Sequence, residues 1–243
     1  MKRYLKYIIM GIVAVTLYTL FFPGKDKEKG KPRDYQTIVE SGILRAVTEY
    51  NSISYFADGD TVSGFHYELL NAFARSKGLT PEIIPEMSFE KRQEGILTGK
   101  YDILANSTIA TSESKDSLLF THPILLNKQV LVQRKPELEN DSMYIHSQLE
   151  LARKTLHVVK GSPVLLRIHN LSNEIGDTIY IQEVEKYGPE QLLAMVAHGD
   201  IDYTVCDESI AQASINDFPQ LDIKTAISFT QFYSWGAVSY THL

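Results

Sequence analysis

Polar residues follow several apolar segments that are predicted to be strands. Ser107 and Thr108 lie at the end of the strand predicted at residues 101–105, and their hydroxyl groups and backbone could contact a ligand or make ordinary loop hydrogen bonds. Asp207 follows residues 200–206 and precedes a predicted helix, a position that also suits an N-cap carboxylate. Because parallel strands end at one edge of a sheet, we expect such residues to face a ligand cleft.

Gly161, Ser162 and Pro163 follow another predicted strand and open a predicted helix. A turn at a helix N-terminus can present backbone N–H groups to an anion. Pro163 suits the first helical turn but has no N–H to donate. Gly161 and Ser162 are therefore either an anion-binding turn or a plain helix cap.

The motifs of common hydrolases and nucleotide-binding enzymes are missing from the sequence. It contains no G-x-S-x-G, G-x-x-x-x-G-K-[ST] or H-E-x-x-H motif. Cys206 is the one cysteine, and we expect it to be a small buried hydrophobic residue. No Cys/His cluster has zinc spacing. We therefore predict no catalytic residue, no metal and no cofactor.

Charge is distributed unevenly along the 243 residues, whose formal net charge is −6. Residues 1–33 contain eight Lys/Arg and two acidic residues, a balance of +6, which leaves −12 for the remainder. An acidic body excludes nucleic acid as a partner, because phosphate binding requires a basic face. The hydrophobic content of 44% is typical of a folded protein.

Residues 1–23 are predicted to be a signal anchor or a signal peptide. Basic residues precede an uncharged apolar run at 7–22, and neither a small-x-small cleavage site nor a cysteine follows it. This favours an uncleaved inner-membrane anchor through residues 4–22, with the body on the periplasmic face. A cleaved signal is the alternative, and both place the body in the bacterial cell envelope. Residues 24–34 are predicted to be a charged tether.

The body alternates predicted strands and helices in two halves. The first half has strands at 43–47, 80–85 and 101–105, with helices at 67–77 and 89–98; the second has strands at 155–160, 178–182 and 200–206, with helices at 163–170, 189–198 and 209–215. Further β segments are predicted at 128–134 and 226–233. This order predicts parallel sheets covered by helices. We expect lobe I at 35–130, lobe II at 131–225 and a return crossing at 226–236.

Four motifs occur in order along both halves. They are Gly64-Phe-His-Tyr-Glu-Leu69, Gly99-Lys-Tyr-Asp-Ile103, the segment 111–121, and Gly199-Asp-Ile-Asp-Tyr203 leading to Asp207. Over about residues 38–236 the chain resembles the family 3 extracytoplasmic solute-binding proteins. The nearest subgroup is the N-terminal regulatory domain of membrane-bound lytic murein transglycosylase F. The resemblance implies an α/β fold, a two-lobed periplasmic-binding-protein type II clamshell, C-terminally truncated behind an N-terminal hydrophobic helix.

The resemblance also implies a set of ligand-binding residues. Asp207 matches the Asp that binds the ligand's α-amino group, and Glu49 matches a position near that amine. Tyr55 and Phe89 correspond roughly to the rings that sandwich ligands, although a core role suits them as well. The predicted set is Glu49, Tyr55, Phe89, Ser107, Thr108, Gly161, Ser162 and Asp207.

Two positions depart from the family pattern. The arginine that binds the α-carboxylate is replaced by Ser114, with Lys115 beside it, so the amine half of the site is kept and the carboxylate half is altered. His66 replaces a usual acidic residue, and we expect it at the surface. A larger or cell-wall-derived ligand, or a degenerate site, is therefore an alternative to a simple α-amino acid.

We predict a non-enzymatic extracytoplasmic domain that closes on a small polar ligand, amino-acid-like or peptide-like, for transport or sensing. The alternative is the regulatory domain of a lytic murein transglycosylase whose catalytic domain lies outside this chain, and a third possibility is the ectodomain of a signalling protein. The expected partners are the ligand, the membrane, and either an ABC-type permease or a cell-wall enzyme domain. Residues 237–243 resemble the translation of a transposon end used in sequencing libraries, and we expect them to be a sequencing-adapter scar.

Overall fold

The computed structural model describes residues 31–136, 138 and 141–238. The predicted anchor, most of the predicted tether and residues 239–243 lie outside this part of the chain. Among the described residues, no helix has both the length and the apolar character needed to span a membrane.

The described residues alternate short helices and strands. The helices are α1 (Tyr35–Ser41), α2 (Phe65–Ser76), α3 (Phe89–Leu97), α4 (Ser112–Lys115), α5 (Val164–Ile175), α6 (Pro189–His198) and α7 (Glu208–Ser214). The strands are β1 (Ile43–Thr48), β2 (Phe56–Asp58), β3 (Thr61–Ser63), β4 (Thr80–Pro85), β5 (Ile103–Ile109), β6 (Leu118–Phe120), β7 (Leu125–Asn127), β8 (Gln129–Arg134), β9 (Thr155–Val159), β10 (Tyr180–Val184), β11 (Thr204–Asp207), β12 (Leu221–Asp222) and β13 (Gln231–Val238).

The first sheet has the order β4-β1-β5-β13-β6, and β7 also pairs with β13. Strand β1 is parallel to β4 and β5, with Ile43 opposite Thr80 and Ala46 opposite Ile103. Strand β13 is antiparallel to β5. The predicted parallel arrangement therefore holds for the three strands that helices connect, as β-α-β units require.

The second sheet has the order β10-β9-β11-β8-β12. Strand β9 is parallel to β10 and β11, and β8 is antiparallel to β11. The chain enters this sheet between Asn127 and Gln129, and it returns to the first sheet after β12. We call the part of the molecule built on the first sheet lobe I and the part built on the second sheet lobe II.

Each sheet is buried on both faces. In lobe I, Leu44, Ala46 and Ile103 pack on the side of α1 and α2, whereas Val47 and Leu104 pack on the other side with Ile96 of α3. This alternation follows the two-residue period of a strand. Lobe II likewise has one apolar cluster that includes Ile168 of α5 and another that includes Leu192 and Leu193 of α6. Rigid sheets in both lobes can therefore hold loop residues at a common edge.

The fold begins inside the predicted tether. Asp34 is the N-cap of α1 and accepts a hydrogen bond from the Thr37 N–H at 2.8 Å. Arg33 pairs with Asp102, whose carboxylate is fully buried. The last two residues of the segment predicted as a tether are thus bound to the body by a local cap and by a contact from a distant loop.

The return strand extends further than the predicted segment. The sequence predicts β structure at 226–233, whereas β13 spans Gln231–Val238. Ala237 lies opposite Leu119, and Val238 is buried against the lobe I core. The strand therefore includes the first two residues of the heptapeptide expected to be a scar.

Candidate ligand-binding site

A cleft lies between the lobes, where about 660 Å³ is not filled by protein atoms and part of this space is open solvent. Residues at the ends of β1, β5 and β11 reach it, as expected for the carboxyl edge of parallel strands. Its polar lining consists of Glu49, Arg92, Asn106, Ser107, Gln129, Ser162, Asp207 and Tyr233, and its apolar lining includes Phe89, Val164, Val205 and Ile210. A second cavity, partly open to solvent, shares Phe89, Ile109, Gln129 and Pro163 with the cleft.

Asp207 joins β11 to α7 and is only partly buried. Its side chain makes no capping hydrogen bond, although the residue occupies the N-cap position. Instead, Oδ1 accepts a hydrogen bond of 2.9 Å from the Tyr233 hydroxyl. Burial raises the pKa of Asp207 to about 7, Glu49 adds to this increase, and the Tyr233 hydrogen bond opposes it. The carboxylate is therefore available to a ligand rather than used as a helix cap.

Glu49 approaches the cleft from lobe I, immediately after β1. Burial raises its pKa, and the charge of Glu190 adds to this effect. The Arg92 guanidinium opposes the increase, with Nη2 at 3.6 Å from Oε2 of Glu49. Two carboxylates from opposite lobes thus face one cleft, and the Arg92 guanidinium partly offsets the charge of Glu49.

Arg92 lies on the first turns of α3 and is 4% exposed. Its Nη1 donates to the carbonyl oxygens of Glu86 and Met87 at 2.6 and 2.9 Å. Its guanidinium carbon lies 5.8 Å from the ring centroid of Phe89. These contacts hold Arg92 in place, so it acts as a fixed positive charge beside Glu49.

The last residues of β5 contribute neighbouring polar groups. The Ser107 side chain lines the cleft, whereas Thr108 is buried and lines the second cavity. Asn106 lines the cleft, and its buried Oδ1 has no hydrogen-bond partner among the described residues. A buried acceptor of this kind favours a ligand that donates a hydrogen bond.

The turn at Gly161 and Ser162 uses its backbone donors inside lobe II. The Gly161 N–H donates to the Glu183 carboxylate at 3.1 Å, and the Ser162 N–H donates to the Val159 carbonyl at 3.2 Å. Neither N–H is therefore free for an anion. Ser162 still lines the cleft, whereas Gly161 does not and instead lies against Glu90 of lobe I.

The two predicted aromatic residues lie in different surroundings. Phe89, at the start of α3, lines both cavities. Tyr55 lines neither cavity and packs against Tyr67 and Tyr50, with ring centroids 5.6 and 6.2 Å away. The ring position expected for a ligand sandwich is thus present at Phe89, while Tyr55 belongs to an aromatic cluster.

His66 is not at the surface, and that prediction is wrong. The side chain is in the first turn of α2 and is 1% exposed. Trp235 Nε1 donates to its Nδ1 at 2.9 Å, and its Nε2 lies 3.1 Å from Ser107 Oγ. Burial lowers the pKa of His66 to about 4. The helix turns this residue toward β5 and β13, which the local sequence does not reveal.

Four polar residues of the cleft were not predicted: Arg92, Asn106, Gln129 and Tyr233. Arg92 lies three residues after Phe89 and four before Ile96, so helical spacing places it on the buried face of α3. Asn106 directly precedes the predicted pair Ser107 and Thr108. Tyr233 has no local signal, because the pairing of β13 with β5 brings it to Asp207.

The lobes contact each other across the cleft. The Ser52 N–H of lobe I donates to Glu190 of α6 at 2.8 Å, and Gly188 of lobe II lies against the methyl end of Met87. Ile53 of lobe I packs on the apolar cluster of α6 and α7. Two lobes that are joined by two crossings and meet over a polar cleft define a clamshell fold.

Comparison with known families identifies the kind of clamshell. Residues 44–172 match the family model of the bacterial extracellular solute-binding proteins, family 3. This match covers more than half of the chain, and the chain belongs to that family.

Curated relatives carry the name membrane-bound lytic murein transglycosylase F. The protein of Alcanivorax borkumensis is 32% identical over 181 residues, which are 73% of this chain and 37% of that protein. The protein of Photobacterium profundum is 24% identical over 224 residues, which are 92% of this chain and 43% of that protein. The chain thus spans less than half the length of these relatives.

Solved structures share the fold. The arginine-bound form of truncated ArgBP from T. maritima superposes with a TM-score of 0.71 at 22% identity, covering 84% of this chain and 92% of that chain. Tv2483 bound to L-arginine gives a TM-score of 0.74 at 18% identity, covering 86% and 83%. The fold is the two-lobed α/β fold of the type II periplasmic binding proteins.

Proposed function

We propose that this chain is an extracytoplasmic binding domain that closes on a small ligand bearing an amine or another organic cation. The placement of Glu49 and Asp207 on opposite lobes of one cleft carries this proposal. Each carboxylate loses hydration in the cleft, which makes its ionised form less favourable. The negative charge of Glu49 further raises the free-energy cost of ionising Asp207. A cation between the two lobes would relieve both costs.

Ligand-driven closure follows from the same charges. Without a cation, closing the lobes brings two partly desolvated carboxylates toward each other. With an ammonium or guanidinium group bound, the closed form gains charge-assisted hydrogen bonds to Glu49, Asp207 and the free acceptor Asn106 Oδ1. Such a ligand shifts the equilibrium toward the closed clamshell, because it contacts both lobes only in that form.

The ligand that suits the cleft is amino-acid-like or peptide-like. The second cavity, with hydroxyl and amide groups from Thr108, Thr111, Ser117, Gln93 and Asn170, offers room beside the charged cleft for a larger neutral polar extension. The arginine-bound structures with the same fold make L-arginine a suitable first probe.

A regulatory role beside a cell-wall enzyme is the second candidate. The curated relatives named membrane-bound lytic murein transglycosylase F match this chain over less than half of their length. In this proposal, closure on a cell-wall fragment would control a lytic transglycosylase, with attachment to the membrane through residues 4–22. Transport through an ABC-type permease is the competing use of the same binding event.

The test is a binding screen of the full chain by thermal shift and calorimetry. The panel contains L-arginine, L-glutamine, a muropeptide stem peptide and the N-acetylated form of each. We expect at least one free-amine compound to bind and its N-acetylated form to bind at least about tenfold more weakly. Asp207→Asn should abolish this preference, whereas Asp202→Asn, a surface carboxylate of lobe II paired with Arg134, should retain it. Equal binding of free and acetylated compounds, or no binding across the panel, would contradict the proposal.

A further inference from the structure

A line of three side chains connects the lobe I core with the cleft. Trp235 on β13 and His66 on α2 are 3% and 1% exposed, and Ser107 at the end of β5 lines the cleft. Trp235 Nε1 is 2.9 Å from His66 Nδ1, and His66 Nε2 is 3.1 Å from Ser107 Oγ. The cleft-facing hydroxyl is thus connected to a buried indole through one imidazole.

The indole sets the direction of these hydrogen bonds. An indole N–H can only donate, so His66 Nδ1 must accept. A neutral imidazole that accepts at Nδ1 carries its proton on Nε2. Ser107 Oγ, which faces Nε2, therefore accepts the second hydrogen bond.

The hydroxyl proton of Ser107 is then left for the cleft. Ser107 Oγ contacts His66 and has no other hydrogen-bond partner among the described residues. With one lone pair already taken by the imidazole N–H, the hydroxyl can donate outward, where a ligand would lie. Glu49, Asp207 and Asn106 Oδ1, which line the same cleft, accept hydrogen bonds from a ligand. Ser107, by contrast, donates a hydrogen bond to it.

We propose that Trp235 and His66 are positioning residues that fix Ser107 as a hydrogen-bond donor to a carboxylate or carbonyl oxygen of the ligand. This inference rests on the proposed binding function, and it adds a second requirement to it. The ligand must carry an acceptor oxygen close to its cationic group. The buried pair thereby contributes to specificity without contacting the ligand.

The first test needs no ligand. Long-range nitrogen–proton NMR spectra of the full chain identify the histidine tautomers, and His66→Gln assigns the His66 signals. We expect a neutral ring protonated at Nε2 at pH 7, and a hydrogen-bonded indole N–H from Trp235, the one tryptophan of the chain. A ring protonated at Nδ1, or at both nitrogens, would overturn the proposal.

The second test compares ligands with and without the α-carboxylate, the acceptor that lies next to the cationic group. The probes are L-arginine with agmatine, which lacks the carboxylate, and L-glutamine with 4-aminobutanamide. Ser107→Ala and Trp235→Phe should each weaken binding of the carboxylate-bearing member of a pair by about tenfold and leave the other member nearly unchanged. The double variant should lose little more than either single variant, because both changes remove the same hydrogen bond.

The outcomes separate this inference from the function on which it rests. Equal losses for both members of a probe pair, or additive losses in the double variant, would show that Trp235 acts only through packing and would overturn the inference. Failure of the whole panel to bind would contradict the proposed function, while the tautomer measurement would still decide whether Trp235 and His66 direct Ser107. If Trp235→Phe does not fold, the inference is tested by the His66 tautomer and by binding of the probe pairs to Ser107→Ala.

Discussion

Asp207 is the residue whose charge state controls the proposed site. Its carboxylate accepts one hydrogen bond within the described part of the chain, from Tyr233, and burial raises its pKa to about 7. Near neutral pH, a small change in acidity therefore changes the charge of the cleft.

Amine binding should depend on pH through Asp207. The ionised carboxylate binds a cation and the protonated form does not, so affinity should fall as pH decreases below about 7. Calorimetry between pH 5 and pH 8 with the amine compound from the screen measures this effect. Asp207→Asn should bind weakly at every pH, and a wild-type affinity that does not vary over this range would contradict the assignment.

Stability of the ligand-free protein should change in the opposite direction. Because the folded-state pKa is about 7 and the ordinary value is 3.8, the folded protein retains a proton that the unfolded chain releases between these values. Stability therefore decreases as pH rises through this range. Scanning calorimetry should show that Asp207→Asn loses less stability than the wild type between pH 4 and pH 7. A parallel decline of both proteins would argue against the raised pKa.

Gly64 begins the Gly-Phe-His motif, where any side chain meets the backbone. Its φ is 135°, and a Cβ atom would lie 2.5 Å from the Ser54 carbonyl oxygen. Gly64→Ala should lower the free energy of unfolding by about 3 kcal/mol through strain and backbone displacement. Gly59→Ala is the matched control, since φ is also positive there but nothing lies within 4 Å of the added atom. It should cost about 1 kcal/mol in urea denaturation, and equal costs would refute the steric argument.

At the scale of elements, Asp102 fastens the start of the fold to the first sheet. Its carboxylate accepts from the Arg45 backbone and guanidinium groups at 2.8 and 2.7 Å, and it pairs with Arg33 ahead of α1. Burial alone would raise the pKa of Asp102, but the hydrogen bonds from Arg33 and Arg45 outweigh this effect and hold the pKa below its ordinary value. The motif Gly99–Ile103 thus has a structural role in this chain.

Removing that charge should destabilise lobe I. Asp102→Asn leaves two arginines without their partner and should cost about 3 kcal/mol at pH 7. Because the folded-state pKa is lowered, the contribution is complete above the ordinary carboxyl pKa and is lost as pH falls through the folded-state value. Urea denaturation should therefore show the gap between wild type and variant narrowing in acid. Glu185→Gln, which removes an exposed ion pair with Lys160, should change the free energy of unfolding far less than Asp102→Asn does.

At the scale of the whole molecule, function depends on how closely the lobes approach. Gly188 lies at the point where lobe II meets Met87, and its φ of −83° accepts any side chain. A large residue at this position would act as a wedge between the lobes. Within lobe II the added Cβ would lie 3.0 Å from Gln191 Oε1, the end of a flexible side chain that can move, so the wedge should affect closure far more than stability.

Gly188→Phe should hold the clamshell open. We expect a larger radius of gyration by small-angle X-ray scattering than for the wild type with ligand, and ligand affinity reduced by about tenfold or more. Thr178→Phe places the same ring on the exposed surface of lobe II, before β10, and should leave both quantities at wild-type values. Wild-type affinity in Gly188→Phe would show that closure at this contact is not needed for binding.

The sequence by itself determined the long helices and the parallel strands of the body, and part of the candidate site. Strand β4 and helix α6 have the predicted bounds, because apolar periodicity and flanking glycine and proline residues act locally. The predicted strand ends placed Ser107 and Asp207 at the edge of a sheet, and the family resemblance added Glu49; all three line the cleft.

Only the tertiary structure decided which side chains meet. Trp235 contacts a histidine 169 positions earlier in the chain, because the chain leaves lobe I after β7 and returns as β13. The same return brings Tyr233 to Asp207, so a carboxylate that the sequence could equally assign to a helix cap faces the cleft. Tyr55, by contrast, packs among other tyrosines. Such pairings depend on strand order and register across two crossings, and local periodicity carries no information about either.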